Sequence, residues 1–360
     1  MDQFASTRTE YVVDNYYHAI TARFPRLRYR CGWDSLLLWV PLSYLPTEIG
    51  DAFTRLAAKS GGRPPLVPAA LVKSDSYMNR RGKNRSITPL GRPSPHRRRR
   101  ASTLPNLTPT AVASRAPLMW DILRVSLWIL AVLALFFFLR FLWELVPLSN
   151  LRQRAVFITG CDSGFGRALA LRLVKDGMIA FAGCFTEKGE DELRKESQLL
   201  PGELHTLHVD ITKDDSVKSA MKHVTLTLNG RPLWAIVNNA GIFTVYGPDS
   251  WLNISSYEKS IDVNLLGAIR VTHAFVPLLK KSGGRIVTMT SVSGRLPGLF
   301  TGPYTAAKYA LEGYMDVVRL ELYQYGVSVH ILEPGAFKTA LLSESALDER
   351  VESIWNNLLP

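Results

Sequence analysis

The sequence predicts an α/β fold whose centre is a doubly wound parallel sheet, carried by residues 150–360. Two observations support this. Strand-length apolar runs alternate with longer helical patterns through this region, and several of the runs are followed at once by glycine, asparagine or serine. The alternation is the mark of βαβ units, in which helices cover both faces of a sheet. Residues placed directly after the strands fall in the crevice beyond the strands' C-terminal ends, where such sheets bind ligands.

Taken in order, Ala155-Val156-Phe157-Ile158 reads as a buried strand, and Thr159-Gly160-Cys161-Asp162-Ser163-Gly164-Phe165-Gly166 follows it directly. A helical pattern then runs over 167–178. Strand, glycine-rich turn and helix form the context of a Rossmann-type dinucleotide fingerprint. Gly160, Gly164 and Gly166 let the backbone approach a pyrophosphate, whose charge meets the helix N-terminus. Their spacing is G-x-x-x-G-x-G, and Asp162, Ser163 and Phe165 are cofactor-binding candidates with them. Further strands are expected at 179–183, 204–209, 233–237, 285–291 and 327–332, and long helices at 257–279 and 304–325. Asn238-Asn239-Ala240-Gly241, Ser291 and Pro334-Gly335 each follow a strand, so these segments converge on one crevice with the glycine-rich turn.

The chemistry is concentrated in Tyr304 and Lys308, one helical turn apart in Y-T-A-A-K, with Ser291 thirteen residues upstream. A spacing of four puts both side chains on one helix face. An ammonium beside a phenol lowers the phenol's pKa from its ordinary value of about 10. A tyrosine tuned in this way can exchange a proton with an alcohol oxygen near neutral pH. NAD is the expected dinucleotide, with NADP left open. No lysine or arginine lies in the glycine-rich turn, Asp162 would repel a 2′-phosphate, and Glu187 follows the second strand; Lys188 is the residue that leaves NADP open.

Residues 153–360 resemble the short-chain dehydrogenase/reductases. The resemblance rests on T-G-C-D-S-G-F-G, Asp210 in V-D-I-T, N-N-A-G, Asn264 in V-N-L-L-G, Ser291, Tyr304 with Lys308, and P-G-A-F-K-T. The wording of the glycine-rich turn and of F-A-G-C-F-T-E-K-G is similar to the retinol and hydroxysteroid dehydrogenase branch, with 3-hydroxybutyrate dehydrogenase as the competing likeness. The resemblance implies an NAD(P)-dependent alcohol dehydrogenase in which Tyr304 exchanges the proton, Ser291 holds the substrate oxygen and Lys308 also bonds the nicotinamide ribose. It makes Asn264 the organiser of a water relay to Lys308, the alternative being an amide on a solvated helix face. It assigns Asp210 to adenine, Asn238, Ala240 and Gly241 to the segment under the adenosine ribose, and Pro334, Gly335 and Thr339 to the nicotinamide end. Asp210 also reads as a helix N-cap with Thr212 nearby.

The net charge of +12 comes from one part of the chain. Residues 1–117 hold 19 basic and 7 acidic side chains, whereas residues 118–360 hold 24 of each, so no nucleic-acid surface is expected on the enzyme region. Cys31, Cys161 and Cys184 lack metal-ligand spacing, and no metal site is expected. Residues 61–117, rich in Pro, Ser and Arg, have the composition of a disordered basic linker. Residues 118–146 read as a membrane anchor: 125–139 carries no charge, and Trp120, Phe141 and Trp143 flank it. Fifteen uncharged residues fall short of the ~20 that a span needs, but snorkelling of Arg124 and Arg140 extends them. The substrate is then expected to be lipophilic and the location membranous, in the endoplasmic reticulum or alternatively the mitochondrion; a homodimer is left open.

Residues 1–60 read as an amphipathic helix, a turn at Phe24-Pro25 and an apolar segment ending at Pro46. Through R-Y-x-x-G-W-D and P-L-S-Y-L-P they resemble the C-terminal tail of retinol dehydrogenase-like enzymes, which follows the catalytic domain and helps to build its substrate lobe. Here the segment precedes a domain that reads as C-terminally truncated. Two expectations follow. The preferred one is a fusion of tandem gene copies, whose product could be an inactive NAD-binding chain. The other is a working permutation, with the segment folding back onto the crevice.

Overall fold

The computed structural model describes residues 8–31, 116–144, 146, 148–337, 339 and 344–358. Their elements run α1 (Glu10–Thr21), β1 (Arg28–Cys31), α2 (Ala116–Glu144), β2 (Ala155–Thr159), α3 (Gly164–Lys175), β3 (Ile179–Cys184), α4 (Glu187–Ser197), β4 (Glu203–His208), α5 (Asp214–Leu228), β5 (Leu233–Asn238), α6 (Ile254–Ile261), α7 (Ala268–Ser282), β6 (Arg285–Met289), α8 (Gly302–Leu322), β7 (Ser328–Pro334) and α9 (Glu344–Leu358). The seven strands form one sheet in the order β1-β7-β6-β5-β2-β3-β4, with every pairing parallel. The order reverses at β2, which lies between β5 and β3, and this places the ligand crevice beyond the end of β2.

Two apolar layers hold the helices to the sheet. On one face Phe157, Phe181, Ile236 and Ile286 pack under α5, α7 and α8, and Phe157 stacks on Phe275 at 4.4 Å. On the other, Val156, Ile158, Ala180 and Val237 pack under α1 and α3. The expected continuous helix at 257–279 is interrupted. Between α6 and α7 the backbone widens into a π-helical turn, Asp262–Gly267.

The edge strand β1 comes from the N-terminal segment. Its register on β7 runs from Arg28 opposite Ile331 to Cys31 opposite Pro334. Tyr29 and Cys31 point into the layer under α1, while Arg28 meets Glu312 of α8. Buried residues of α1 (Val12, Tyr16, Ala19, Ile20) recur at helical spacing and share a core layer with Leu169, Leu173 and Val174 of α3. The last carbonyls of a helix lack intrahelical donors, and those of α1 are met from the sheet. Buried Arg285 donates to Ala19 O and Ala22 O, both at 2.7 Å, and Trp234 Nε1 donates to Ile20 O at 2.8 Å. The apolar segment expected to end at Pro46 and the basic linker up to residue 115 lie outside the described residues.

Within α2, residues 120–144 form a 25-residue apolar stretch holding an 18-residue window of mean hydropathy 2.6, none of that window buried in the protein. A second stretch, Ile254–Ser282, also has the length and hydropathy of a span, but a third of it is buried in the domain core.

Candidate active site

The glycine-rich turn is built by close approach. Gly160 has φ 70° and Gly164 φ 61°, the left-handed region that glycine adopts without strain. A Cβ at Gly160 would lie 2.8 Å from Ala240 Cα, and one at Gly166 would lie 2.4 Å from Gly160 O. At Gly164 a Cβ would meet nothing within 4 Å. The turn is therefore packed on its inner side and open at the N-terminus of α3, an arrangement that accommodates a pyrophosphate. Ser163 is the N-cap of α3, its side chain making no capping bond, and Phe165 packs edge-on against Phe337. The Asp162 carboxylate accepts hydrogen bonds from Phe185 N (2.9 Å), Thr186 N (2.8 Å) and Thr186 Oγ1 (2.7 Å), which fastens the turn to the end of β3.

Of the two asparagines after β5, Asn238 points into the protein, where Nδ2 donates to Thr272 Oγ1 and Thr288 Oγ1. Asn239, absent from the sequence candidates, makes the link to the glycine-rich turn. Its Nδ2 donates to Thr159 O (2.9 Å) and Gly160 O (3.0 Å), and its Oδ1 accepts from Tyr16 Oη of α1 at 3.0 Å. Asn239 N and Ala240 N both donate to Thr159 Oγ1 at 3.1 Å. Asn239 stood in the N-N-A-G motif itself. Tyr16 gave no signal, because its partner lies 223 residues away.

Asn264 lies in the π-helical turn and is 1% exposed, which excludes the solvated-face reading. Its Oδ1 accepts from Ile242 N, and its Nδ2 donates to Ile242 O, each at 2.9 Å. Such turns occur often where a helix must aim a functional side chain. A Cβ on Gly241 would sit 2.9 Å from Asn264 Oδ1 and 3.7 Å from Lys308 Nζ, so Gly241 separates these two side chains by the width of a bare backbone.

Ser291 lies two residues past the end of β6, accepts from Ser293 N at 3.1 Å, and hydrogen-bonds the Tyr304 hydroxyl. Tyr304 stands in the first turn of α8, which Pro303 opens. Lys308, 3% exposed, donates from Nζ to Met289 O at 2.9 Å and lies 5.6 Å from the centroid of the Tyr304 ring. The spacing of four therefore brings the pair together against Ser291, as expected. The electrostatics differ from the expectation. Burial pushes Tyr304 up to about 12, against a lowering by the Ser291 hydrogen bond. Burial pushes Lys308 down to about 8, opposed by the Glu312 carboxylate. Desolvation dominates the phenol, the lowering comes from Ser291 and not from Lys308, and Nζ is engaged by the Met289 carbonyl.

The remaining candidates lie at the same end of the sheet. Asp210 Oδ1 accepts from Thr212 N (2.9 Å) and Thr212 Oγ1 (2.7 Å), closing a local turn ahead of α5, whose N-cap is Lys213. Pro334 ends β7, and Gly335 N donates to Cys31 O of β1 at 3.0 Å. Thr339 is half-buried.

Residues 154–350 match the model of the family described as short chain dehydrogenase. The chain is 50% identical over 236 residues to the 3beta-hydroxysteroid dehydrogenase dhs-16 of Caenorhabditis elegans, an alignment covering 63% of this chain and 61% of that one. It is 42% identical over 230 residues to mouse retinol dehydrogenase 16, covering 64% and 71% respectively. Against these relatives the chain thus spans between 61% and 71% of their length. Among solved structures, levodione reductase superimposes with a TM-score of 0.50 at 26% identity, covering 54% of this chain and 75% of that one. A Mycobacterium ulcerans short-chain type dehydrogenase/reductase gives 0.51 at 25%, covering 55% and 72%. With more than half of its residues matched by the family model, the chain belongs to the short-chain dehydrogenases.

Proposed function

We propose that the protein is a membrane-associated alcohol dehydrogenase that uses NAD, with NADP as the alternative cofactor, and acts on a retinoid or hydroxysteroid. The observation that carries this reading is the meeting of Ser291, Tyr304 and Lys308 beside a glycine-rich turn whose outer side is open. When bound, the nicotinamide supplies the hydride acceptor for alcohol oxidation. The Ser291 hydroxyl orients the substrate oxygen, and Tyr304, in its phenolate form, takes the alcohol proton as the carbonyl forms. Lys308 adds positive charge beside the phenol and a donor for the ribose, and Asn264 holds the loop against which Lys308 lies. Gly160, Gly164 and Gly166 cradle the pyrophosphate, with Ser163 and Phe165 at the start of the helix. Asp162, Asp210, Ala240, Gly241 and the backbone of Asn238 would line the adenosine side, and Pro334, Gly335 and Thr339 the nicotinamide side.

A lipophilic substrate suits the surroundings of the phenol. Phe243 lies 5.1 Å from Tyr304, Tyr246 packs on Phe243, and Phe300 packs on Tyr246, giving an aromatic path from Tyr304 to the half-exposed Phe300. The relatives named for hydroxysteroids and retinol agree with that wall, and α2 would hold the enzyme at the bilayer in which such substrates dissolve. The competing reading, carried by the sequence likeness, is 3-hydroxybutyrate as the substrate. The full chain in detergent, given retinol, a 3β-hydroxysteroid and 3-hydroxybutyrate with NAD and then NADP, separates the readings. Turnover of the lipophilic alcohols, abolished by Tyr304→Phe while NADH fluorescence still reports binding, is the expected result. NADH binding with no turnover on any of the three would establish an inactive binder.

A further inference from the structure

We infer that the segment ahead of α2 is part of the dinucleotide site, with Tyr16 as a positioning residue for the glycine-rich turn. The inference rests on the proposed cofactor reading and adds to it a residue from outside the region matched by the family model. Tyr16 is fully buried in α1, and its hydroxyl donates to Asn239 Oδ1 at 3.0 Å. An amide is planar, so a held carbonyl oxygen fixes the direction of both N–H groups. Those of Asn239 reach Thr159 O and Gly160 O, the last residue of β2 and the first glycine of the turn. The fit is close on every side: a Cβ at Gly166 would stand 2.5 Å from Asn239 Nδ2, and one at Gly160 would meet Ala240. A rotation of the Asn239 amide therefore reaches the turn directly.

The Tyr16 hydroxyl is in turn held by the docking of its helix. Arg285 and Trp234 bind the C-terminal carbonyls of α1, and β1 extends the sheet beside β7. Removing the hydroxyl leaves Asn239 Oδ1 without this donor in a half-buried site, and the amide loses its fixed orientation. The penalty of an unmet buried acceptor corresponds to roughly a five- to tenfold loss where only one bond is involved. It falls on cofactor affinity, because Tyr16 touches neither Ser291 nor the residues around the phenol.

The test uses the full chain in detergent, with NADH binding read by nicotinamide fluorescence. Tyr16→Phe should raise the NADH Kd about five- to tenfold, and the cofactor KM with it. The kcat at saturating cofactor and the KM for the alcohol should stay within about twofold, the split expected of lost cofactor binding alone. Tyr17→Phe, at the half-exposed neighbour that packs on Arg172, should leave the NADH Kd unchanged. In an Asn239→Ala background, Tyr16→Phe should have no further effect, since the two act through one link. An unchanged Kd in Tyr16→Phe, or an equal additional loss in the Asn239→Ala background, overturns the inference while leaving the cofactor reading intact. Absence of NADH binding to the parent chain overturns both.

Discussion

Replacing Arg28 by methionine tests whether β1 is an integral strand of the enzyme. The Arg28 guanidinium reaches the Glu312 carboxylate, Glu333 Oε1 at 3.0 Å and Asp316 Oδ2 at 2.7 Å. The Glu312 and Glu333 side chains are 8% and 2% exposed. Removing one partner of a buried ion pair costs about 3–5 kcal/mol, since the remaining charge stays desolvated. Arg295 still contacts Glu333 at 3.1 Å and Glu312 at 3.8 Å, and Arg28 itself is 22% exposed, so the loss falls around and below the low end of that range. A loss of about 2–4 kcal/mol corresponds to a fall in Tm of roughly 5–15 °C for a domain of this size. Thermal unfolding of the full chain in detergent measures it. Lys218→Met, which breaks an exposed contact to Asp215, should cost less than about 1 kcal/mol. The loss should depend on pH with a definite sign. Burial raises Glu312 above its ordinary 4.5 and Arg28 opposes that shift. A raised acid contributes stability that is complete below 4.5 and is lost as pH rises through the folded-state value. Without Arg28 that value rises further, so the variant should be furthest below the parent at neutral pH and approach it on acidification. A loss under about 0.5 kcal/mol at pH 7, in the range of an ordinary surface substitution, would refute a docked β1. So would a deficit that grows as pH falls.

Other outcomes follow from the same geometry. Glu312→Gln removes the carboxylate that opposes the downward shift of Lys308, so the ionisation near 8 should move to lower pH in the kcat/KM profile; an upward move would contradict the assignment. Gly166→Ala places a methyl 2.4 Å from Gly160 O and should abolish NADH binding, whereas Gly164→Ala meets no protein atom and should cost the fold only the left-handed backbone strain, about 1–2 kcal/mol in thermal unfolding without cofactor. Cysteines introduced at Arg8 and Asn229, both exposed, should show the same protection from a membrane-impermeant maleimide in sealed vesicles. Opposite protection would separate α1 from the domain.

The sheet from β2 to β7 was legible because each strand, turn and helix is encoded by neighbouring residues, and the convergence of Gly160, Ser291, Tyr304 and Lys308 follows from strand order. The seventh strand was not. Arg28-Tyr29-Arg30-Cys31 contains no apolar run, and its partner on β7 is some 300 residues away. Spacing placed Tyr304 and Lys308 on one helix face but could not reveal the depth of their burial, which reverses the expected shift of the phenol. In N-N-A-G the motif was visible, yet which asparagine turns inward depends on Thr272 and Thr288, contributed by a distant helix and strand. A uniform helical pattern likewise hid the π-helical turn that points Asn264 at Ile242.

The docked segment also restricts what α2 can do. At about 1.5 Å per residue its 29 residues reach some 43 Å, longer than a hydrocarbon core of about 30 Å. Its C-terminal end meets the α1–β1 turn: Arg26 pairs with Glu144, Phe24 packs on Trp143 at 4.6 Å, and Arg23 N donates to Val146 O. Chain from before α2 and chain from after it therefore belong to one folded unit, joined by the β1–β7 ladder and by Arg285, whose buried guanidinium has its acceptors on α1. A lone crossing at α2 would put residues 8–31 and 148–337 on opposite faces of the bilayer. The unit would then lose its edge strand and the acceptors of Arg285 together. Sheet completion and a single-pass anchor at α2 are thus mutually exclusive. If the segment works as the seventh strand, α2 either is not the chain's one crossing or lies at the membrane without traversing it.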